Sequence, residues 1–410
     1  MSAAPIRCRL CGEARLETFL SLGRTPLADA LVRPEAAGLP EERFSLDVAF
    51  CPDCSLVQLL EEVEPQKLFV DNYLYFSSFS PYVLEHSRRH AEGLIAARGL
   101  GPGHLVVELA SNDGYLLSNF VEAGVPVLGI DPAPAQAEAA IAAGVPTLAE
   151  FFGSGLASRL ISEERRADVI IANNVMAHVP NLNDFVEGIA LLLADDGVAT
   201  IENPYVRDLI RHCEFDTIYH EHFCYFSCTA VQKLMRRHGL YLNHVEHFPD
   251  LHGGTLRWYV GHHDEPSDEA RQYLAEEQAT GLALPDFYRE FGARVEHVRT
   301  ELRKLLTDLK SAGKTIAAYG AAAKGSTLVN FADIDGSLVD FVVDRNVHKQ
   351  GLLMPGVQLP IRDPAALLED KPDYLLLLAW NFKDEIMTQQ QEYLDGGGRV
   401  IVPIPEPCVL

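Results

Sequence analysis

The chain has 410 residues, of which 48% are hydrophobic, so it is long enough for two or three domains with buried cores. Its 34 basic and 58 acidic residues give a formal charge of −24 at pH 7, which argues against nucleic acid or an anionic membrane as a general partner. The longest apolar runs are of strand length and the N-terminus lacks a signal pattern, so we expect a cytoplasmic protein.

The N-terminal region contains two C-x-x-C pairs separated by about forty residues. Two such knuckles can place four thiolates around one tetrahedral zinc ion; two redox pairs or four free thiols are the alternatives. The surroundings are polar and rich in loops, without the strand and helix that frame a redox motif, and this favours zinc. We therefore predict a closed structural zinc site in an N-terminal domain of residues 1–72, with the ligands Cys8, Cys11, Cys51 and Cys54.

Beyond a predicted helix at residues 82–98, strands alternate with helices in a pattern typical of a parallel, doubly wound sheet. The predicted strands are His104–Leu109, Val125–Ile130, Asp168–Asn173 and Val198–Asn203, and a helix is predicted at Leu116–Ala123. We assign this Rossmann-like unit to residues 73–262.

Helix-forming residues with paired charges occupy positions 265–312, and a second alternating series follows them. Its predicted strands are Thr315–Tyr319, Val339–Asp344, Tyr374–Leu378 and Arg399–Pro403. These elements predict a second Rossmann-like unit within residues 263–410. The expected fold class is α/β, with a zinc-binding module in front of two Rossmann-like units.

The loop after the first strand of the first unit has the clearest small-molecule pattern. Small residues between Glu108 and Tyr115 allow the backbone to approach a ligand, and Asp131 ends the next strand, where a carboxylate can accept both hydroxyls of a ribose. The loop lacks G-x-G-x-x-G and has only Gly114, so it suits S-adenosylmethionine better than a dinucleotide, with Glu108 facing the methionine amino group. An ordinary turn with Asp131 as a helix cap is the alternative.

A second group of candidate residues lies in the segment Y-H-E-H. Tyr219, Glu221 and His222 combine a phenol, a carboxylate and an imidazole, which are the groups needed to remove a proton next to a carbonyl. The H-x-H pattern with Glu221 can also bind a metal, although no third ligand pair at helical spacing accompanies it. His178 follows the third strand at the carboxyl edge of the sheet, where both a structural and a functional role are open.

The loop of the second unit, Y-G-A-A-A-K-G-S-T, follows a strand and opens a helix. It is similar to a degenerate dinucleotide site, so an NAD-linked sugar oxidoreductase is an alternative function. The missing G-x-G-x-x-G and the position of Lys324 at the helix start favour the diphosphate of a nucleotide-sugar. A non-catalytic scaffold is a further alternative, but it would not need the Tyr-Glu-His cluster.

Taken in order, the motifs of the whole chain resemble one family. They are C-R-L-C-G, C-P-D-C-S-L-V-Q-L, Y-F-S-S-F-S-P, V-V-E-L-A-S-N-D-G-Y-L-L, G-I-D-P-A, N-N-V-M-A-H-V-P, E-F-D-T-I-Y-H-E-H-F, H-G-G-T-L-R-W-Y-V and Y-G-A-A-A-K-G-S-T. This series resembles the S-adenosylmethionine-dependent C-methyltransferases that act on nucleotide-linked 4-keto-6-deoxysugars. The resemblance is closest to C-3 methyltransferases such as that of the D-tetronitrose pathway, and the Y-H-E-H segment is its most specific part.

The resemblance implies a zinc-binding domain, a central methyltransferase domain and a C-terminal Rossmann-like domain that helps to hold the nucleotide-sugar. It implies that His222 is the general base and that Tyr219, Tyr73 or His178 donates to the enolate oxygen. Glu221 would orient or tune the base. The expected cofactors are S-adenosylmethionine and structural zinc, the expected partner is a dTDP-linked sugar, and the protein is expected to be a monomer.

The same resemblance and the positions of the loops define the remaining candidate residues. Those expected to contact the cofactor are Glu108, Ala110, Asn112, Gly114, Tyr115, Asp131, Pro132, Asn173 and Asn174. Those expected to contact the substrate are Tyr75, Ser78, His252, Arg257, Tyr319, Lys324 and Ser326. Methylation at C-5 and either an amino or a hydroxyl group at C-3 remain open at this point.

Overall fold

The computed structural model of the chain describes residues 6–69, 76–79, 81–251 and 253–410. Within these residues the strands form one N-terminal, one central and one C-terminal sheet. No helix in the described part of the chain combines the length and hydrophobicity that a membrane span requires.

The N-terminal sheet is antiparallel. Its elements are β1 (Glu17–Thr25), β2 (Phe44–Phe50), β3 (Val57–Leu59) and the short helix α1 (Pro65–Phe69). Strand β2 pairs with both β1 and β3, and alternate apolar side chains such as Leu46 and Val48 are buried. The two C-x-x-C knuckles lie at the ends of this small sheet, directly before β1 and between β2 and β3.

The central unit begins with a long helix and continues as the predicted strand and helix series. Its elements are α2 (Pro81–Arg98), β4 (Val106–Leu109), α3 (Leu117–Glu122), β5 (Val127–Ile130), α4 (Pro134–Ala142), β6 (Thr147–Leu148), α5 (Ser154–Ser162), β7 (Ala167–Asn173), α6 (Leu182–Leu192), β8 (Leu193–Pro204), α7 (Val206–His212), β9 (Cys224–Tyr225), α8 (Cys228–Arg237), β10 (Tyr241–Phe248) and β11 (Thr255–Gly261).

The described strands of the central sheet lie in the order β10-β11-β8-β7-β4-β5-β6. The strands from β8 to β6 are parallel, whereas β10 and β11 are antiparallel and extend the sheet beyond β8. Strand β9 is not part of this sheet, because it pairs with β3 of the N-terminal sheet. The segment before β9, which contains Y-H-E-H, therefore passes from the central unit to the N-terminal one.

The C-terminal unit is a second parallel sheet covered by helices. Its elements are α9 (Asp268–Thr280), α10 (Phe291–Ser311), β12 (Ile316–Tyr319), α11 (Ala323–Phe331), β13 (Phe341–Val343), β14 (Ile361–Arg362), α12 (Ala366–Asp370), β15 (Tyr374–Leu377), α13 (Lys383–Gln389), α14 (Gln391–Asp395), β16 (Arg399–Val402) and β17 (Cys408–Val409). The strand order is β14-β13-β12-β15-β16-β17, and β17 is antiparallel to β16.

One continuous apolar core connects the three sheets. It contains Leu46 of the N-terminal sheet, Ile170 of the central sheet and Ile401 of the C-terminal sheet. Helix α10 contributes buried residues at helical spacing, and its Phe291 ring lies 6.2 Å from the ring of Phe19 in β1. The predicted α/β fold is confirmed, and the shared core places the carboxyl edge of the central sheet at the junction of the three regions.

Candidate active site

The four cysteines of the knuckles form one compact cluster. The Sγ atoms of Cys8, Cys11, Cys51 and Cys54 all lie within 4.8 Å of one another, and none of these cysteines is in a disulfide. The residue after each second cysteine, Gly12 or Ser55, has a positive φ of 79° or 68°, and its N–H donates to the carbonyl of the first cysteine. These repeated turns direct four thiolates to one point, which fits a closed tetrahedral zinc site.

The knuckles pack against two helices of the central unit. The side-chain amide of Asn183 donates to the carbonyl oxygens of Arg9 and Leu10, at 2.9 and 3.0 Å. Lys233 of α8 donates to Ser55 Oγ at 3.2 Å. The cysteine knuckles therefore support the start of α6 and helix α8.

The predicted cofactor loop has an unusual backbone between β4 and α3. Ala110, Asn112 and Gly114 all have positive φ, at 57°, 50° and 78°. A Cβ at Gly114 would lie 2.9 Å from Val145 Cγ2, so a side chain has no room there. The loop is thereby held at the carboxyl end of β4, where a Rossmann-like sheet binds its ligand.

Acidic groups surround this loop. Glu108 is 1% exposed, its Oε2 has no hydrogen-bond partner among the described residues, and Asp131, Asp113 and Glu202 lie near it. Burial, followed by these neighbouring carboxylates, raises the pKa of Glu108 well above its ordinary value. A site with buried, unpaired carboxyl oxygens fits the cationic groups of S-adenosylmethionine and would repel a diphosphate.

Asp131 braces the loop from the end of β5. Its two carboxylate oxygens accept hydrogen bonds from the N–H groups of Asn112, at 2.8 Å, and Ala133, at 2.9 Å. Asp131 is not the N-cap of α4, because that position is Ala133 and has no side-chain cap hydrogen bond. Each carboxylate oxygen of Asp131 still has a second lone pair for a ribose hydroxyl. Burial raises the pKa of Asp131, although the two N–H donors oppose that shift. Pro132 follows it directly and is partly buried.

Three further cofactor candidates lie on the rim of the same edge. Asn173 ends β7, and its Oδ1 lacks a hydrogen-bond partner within the described residues. Asn174 has a φ of 52° and donates its N–H to the carbonyl of Glu202 at 2.8 Å. Tyr115 is partly buried at the start of the helix that follows the loop.

The segment at residues 76–79 lies over the cofactor loop. The N–H of Ser77 donates to Asn112 Oδ1 at 3.0 Å, and the N–H of Ser78 donates to Asp113 Oδ2 at 3.3 Å. Ser78 itself is exposed. Tyr73 and Tyr75, predicted from the same aromatic motif, lie outside the described residues, as does His252.

His222 has a defined tautomer. Its Nδ1 lies 2.8 Å from the carbonyl oxygen of Thr217, and because a carbonyl only accepts, Nδ1 carries a proton and Nε2 is the nitrogen that can act as the base. The Tyr219 ring is 4.1 Å from the His222 ring, centroid to centroid. Tyr219 and His222 are therefore brought together as predicted.

His178 has the same arrangement on the opposite side of His222. Its Nδ1 lies 2.7 Å from the backbone oxygen of Glu221, and its ring centroid is 4.8 Å from that of His222. Burial lowers the pKa of His178 to about 4, so the ring is neutral near pH 7. Phe69, at the end of α1, closes this side with its ring 5.5 Å from His178.

The Glu221 side chain points into a buried region of its own. Burial, with the nearby Asp29 carboxylate, raises the pKa of Glu221 to about 8, and its Oε2 has no hydrogen-bond partner in the described part of the chain. Tyr225, which is 5% exposed, also has a hydroxyl without such a partner and lies close enough to Glu221 for the two to interact electrostatically. His220 faces the N-terminal sheet, with its ring 5.7 Å from Phe44.

The H-x-H pattern does not form a metal site among the described residues, where the cysteine cluster is the one group with ligand geometry. His220 and His222 lie in different surroundings, against Phe44 and Tyr219 respectively.

Arg257, a substrate candidate, is committed to an internal network. Its guanidinium donates to Glu202 Oε1 at 2.6 Å and to Glu246 Oε2 at 2.8 Å, and the side chain is 6% exposed. His86 of α2 contacts the same Glu202, with Nε2 3.0 Å from Oε2. These contacts attach α2 to β8 and β11 and leave the arginine charge neutralised.

The candidates of the second unit are divided between two faces of its sheet. Lys324, Ser326 and Thr327 lie on α11, which packs against the turn at residues 215–217. Tyr319 packs on the other face with Ile386 and Tyr393. The structure therefore brings Lys324 and Ser326, but not Tyr319, to the side of the catalytic segment.

The sequence did not identify Thr217 or the network around Glu202 as parts of the site. Thr217 acts through its backbone carbonyl, so no side-chain pattern could have indicated it. Glu202 and Arg257 are far apart in the chain and meet through the antiparallel pairing of β11 with β8, and His86 joins them from helix α2. A buried carboxylate at a strand end, as in E-N-P-Y, is the one local signal that was present.

Known proteins match the chain over nearly its whole length. The matching families are described as a zinc binding domain over residues 8–69, a methyltransferase domain over 84–245 and a C-methyltransferase C-terminal domain over 250–405. C-methyltransferase NovU of Streptomyces niveus is 38% identical over 408 residues, which are 98% of this chain and 96% of that protein.

Other similarities are more limited. An uncharacterized methyltransferase of Mycobacterium leprae is 33% identical over 88 residues, which are 21% of this chain and 32% of that protein. The solved structure of magnesium protoporphyrin IX methyltransferase from Synechocystis PCC 6803 with bound S-adenosylmethionine covers 48% of this chain and 88% of its own, at 14% identity and a TM-score of 0.34.

The near-complete match decides among the three functions that the sequence left open, because neither an oxidoreductase nor a scaffold accounts for it. The predictions of S-adenosylmethionine and zinc as cofactors are confirmed by the methyltransferase domain, the zinc-binding domain and the cysteine cluster. The chain belongs to the S-adenosylmethionine-dependent C-methyltransferase family.

Proposed function

We propose that this enzyme methylates a nucleotide-linked 4-keto-6-deoxysugar at the carbon next to the ketone, at C-3, with dTDP as the carrier. The observation that supports this most strongly is the pair of imidazoles, His178 and His222, at the carboxyl edge of the central sheet. Each ring donates its Nδ1–H to a backbone carbonyl, so each has a basic Nε2. Carbon methylation next to a ketone requires such a base, because the C–H proton must be removed before the carbon becomes nucleophilic.

The reaction begins with His222. Its Nε2 removes the proton from the carbon beside the ketone, the C–H electrons move into the enolate, and the Nδ1–H bond to Thr217 stabilises the resulting imidazolium. S-adenosylmethionine supplies the electrophilic methyl group when it is bound. The buried residues around the site keep water away from the enolate, because Tyr225 and Phe223 close the segment behind His222.

The tautomer of His178 bears on which group stabilises the enolate oxygen. A neutral ring with its proton on Nδ1 has no hydrogen on Nε2, so His178 in this state cannot donate to an oxyanion from that nitrogen. The Tyr219 phenol has a proton to donate and lies beside His222. We therefore assign the donor role to Tyr219 and propose that His178 accepts a hydrogen bond from a sugar hydroxyl or amine.

We place the nucleotide in the second unit, within residues 263–410. A cavity of about 440 Å³ opens at the carboxyl ends of β15 and β16, next to Trp380 and Asn381. Lys324 lies beside it, with Nζ 3.3 Å from Asn381 Oδ1. A cationic side chain at this edge suits the diphosphate of a nucleotide-sugar.

A proton-exchange experiment tests the role of His222. In deuterated water, with the 4-keto-6-deoxysugar nucleotide and S-adenosylhomocysteine bound, the wild-type enzyme should exchange the proton next to the ketone, and NMR detects its loss. His222→Asn should slow both this exchange and methylation by about 10²- to 10⁴-fold, the usual contribution of a general base.

The matched control is His220→Asn, which changes a histidine of the same segment that faces Phe44. This variant should retain exchange if it remains folded, as thermal melting would show. Wild-type exchange in His222→Asn would exclude His222 as the base. The NMR spectrum of the methylated product separately identifies the methylated carbon, so a product with a new C-5 methyl group would overturn the C-3 assignment alone.

A further inference from the structure

A buried polar cluster joins the second unit to the segment that holds His222. We call it the Asp216 clamp, and it consists of Asp216 in the turn at residues 215–217 and of Lys324, Thr327 and Trp380 from the C-terminal unit. Trp380 Nε1 donates to Asp216 Oδ2 at 2.7 Å, and Lys324 Nζ lies 4.0 Å from the same oxygen. Lys324 Nζ also lies 4.7 Å from the centre of the Trp380 ring.

The clamp is removed from solvent. Asp216 is fully buried, and the Lys324 side chain is 16% exposed. The second oxygen of Asp216, Oδ1, has no hydrogen-bond partner among the described residues. A buried ion pair seldom adds much stability compared with apolar packing. The pairing of Asp216 with Lys324 is therefore better explained by the backbone position that it fixes in the turn at residues 215–217.

The turn held by the clamp controls the tautomer of His222. Thr327 Oγ1 donates to the carbonyl of Ile218 at 3.2 Å, so the C-terminal unit restrains the backbone on both sides of Thr217. The Thr217 carbonyl accepts the Nδ1–H of His222 at 2.8 Å. A shift of this carbonyl by about 1 Å would weaken that hydrogen bond and allow the other tautomer, in which Nε2 carries the proton and is no longer basic.

We infer that Asp216 is a positioning residue for the methyl transfer. The C-terminal unit fixes the turn at residues 215–217 through Trp380, Lys324 and Thr327. Because this turn carries the Thr217 carbonyl, it keeps His222 in the tautomer with a basic Nε2. This inference rests on the proposed role of His222. It gives the C-terminal unit a part in proton removal in addition to nucleotide binding, with Lys324 and Trp380 between the clamp and the proposed nucleotide cavity.

Trp380→Phe is the most informative change, because it removes the Nε1–H donor and keeps an aromatic ring beneath Lys324. We expect kcat for methylation, and the rate of proton exchange next to the ketone, to fall together by about 10- to 100-fold, the size of effect expected from a small misplacement of a catalytic group. The dissociation constant of S-adenosylmethionine, measured by calorimetry, should stay within twofold of the wild-type value.

Two further variants separate positioning from a loss of stability. Tyr393→Phe removes another buried aromatic donor of the same unit, the Tyr393 hydroxyl that bonds to the Pro372 carbonyl at 2.9 Å, and it should lower the melting temperature without lowering kcat. Asp216→Asn keeps an acceptor for Trp380 and should retain kcat within about threefold, whereas Asp216→Ala should not.

Unchanged kcat and exchange in Trp380→Phe would overturn the inference. A rise in the KM of the nucleotide-sugar with kcat unchanged would also overturn it and would assign the clamp to substrate binding. If Trp380→Phe and Tyr393→Phe lower kcat equally, the effect is one of stability and the inference fails. Failure of the proposed function is distinguishable, because His222→Asn would then retain activity.

Discussion

The two Rossmann-like units brace their first loops in the same way. In the central unit Asp131, at the end of the second strand, accepts N–H bonds from Asn112 and Ala133. In the C-terminal unit Asp344, at the same position, accepts N–H bonds from Ala321, at 2.7 Å, and Asn346, at 2.8 Å. An acidic residue at this strand end therefore braces the loop backbone in both units, and it does not by itself identify a ribose site.

The ionisable groups around the two loops differ. The third residue of β4 is the buried Glu108, whereas the third residue of β12 is Ala318. Lys324 opens the helix of the second unit, and Lys349 donates to the carbonyl of Ala321 in its loop at 2.8 Å. Topology places the loop at the same edge in both units, and we expect the nearby charge to select the ligand, a cation in the first unit and an anion in the second.

Loss of the zinc site should give the largest loss of stability, and it should affect the first Rossmann-like unit more than the second. The knuckles contact the first unit through Asn183 and Lys233, whereas the second unit pairs with a different part of the N-terminal domain, where Val32 and Leu353 exchange backbone hydrogen bonds. Cys51→Ser should remove bound zinc and lower the free energy of unfolding by about 4 kcal/mol or more. Hydrogen exchange should rise first near residues 180–183 and in α8.

The control for that experiment is Cys408→Ser, because Cys408 is exposed in the last strand and outside the cluster. Its zinc content, measured by atomic emission, and its stability should match the wild type. Cys51→Ser protein that keeps its stability without metal would contradict a structural role for zinc. An equal rise in hydrogen exchange in both Rossmann-like units would contradict the expectation that the zinc site supports the first unit more than the second.

The second prediction concerns the two bracing aspartates. Asp131→Ala should weaken S-adenosylmethionine binding by about 1.5–3 kcal/mol, roughly 10- to 150-fold, since it removes charge-assisted hydrogen bonds to the loop and to the ribose. Asp344→Ala changes the same brace in the second unit and should leave the affinity for this cofactor unchanged. Calorimetric titration of both variants measures the difference in affinity for S-adenosylmethionine. Equal losses of affinity would show that the effect comes from a general destabilisation of the protein.

Much of the architecture was predictable because its strands are continuous apolar runs. All residues of β4 and β15 are buried except Tyr374, and the sequence placed both strands within two residues of their observed bounds. The antiparallel strands β10 and β11 were not predicted, because β10 is only partly buried and lacks a clear alternation. The two-residue strand β9 is too short for any pattern and exists only through its pairing with β3.

The candidate site was predictable where side chains act and unpredictable where the backbone acts. Tyr219 and His222 are close in sequence, so their meeting required only a local turn. The carbonyl of Thr217 and that of Glu221, which set the tautomers of the two histidines, have no signal in the sequence. The commitment of Arg257 to Glu202 depends on strand pairing across 55 residues of chain.

The smallest predicted effect tests the charge difference itself. Glu108 has a folded-state pKa raised by burial and by Asp131, so between its ordinary pKa of about 4.3 and the raised value the folded protein holds a proton that the unfolded chain has lost. The stability contributed by this group is therefore complete at low pH and declines as the pH rises, by at most about 1.4 kcal/mol per pH unit.

Glu108→Gln replaces the protonated carboxyl with a neutral group of the same shape and should remove this decline. Without cofactor, the variant should resemble the wild type in urea unfolding at pH 5 and should be more stable at pH 8. Its affinity for S-adenosylmethionine should fall by a few fold, since the amide cannot supply a negative charge to the cationic cofactor. Glu122→Gln, on the exposed face of α3, is the control and should follow the wild type at both values of pH. A stability difference that is the same at pH 5 and pH 8 would mean that Glu108 does not hold its proton in the folded protein and already has a negative charge without the cofactor.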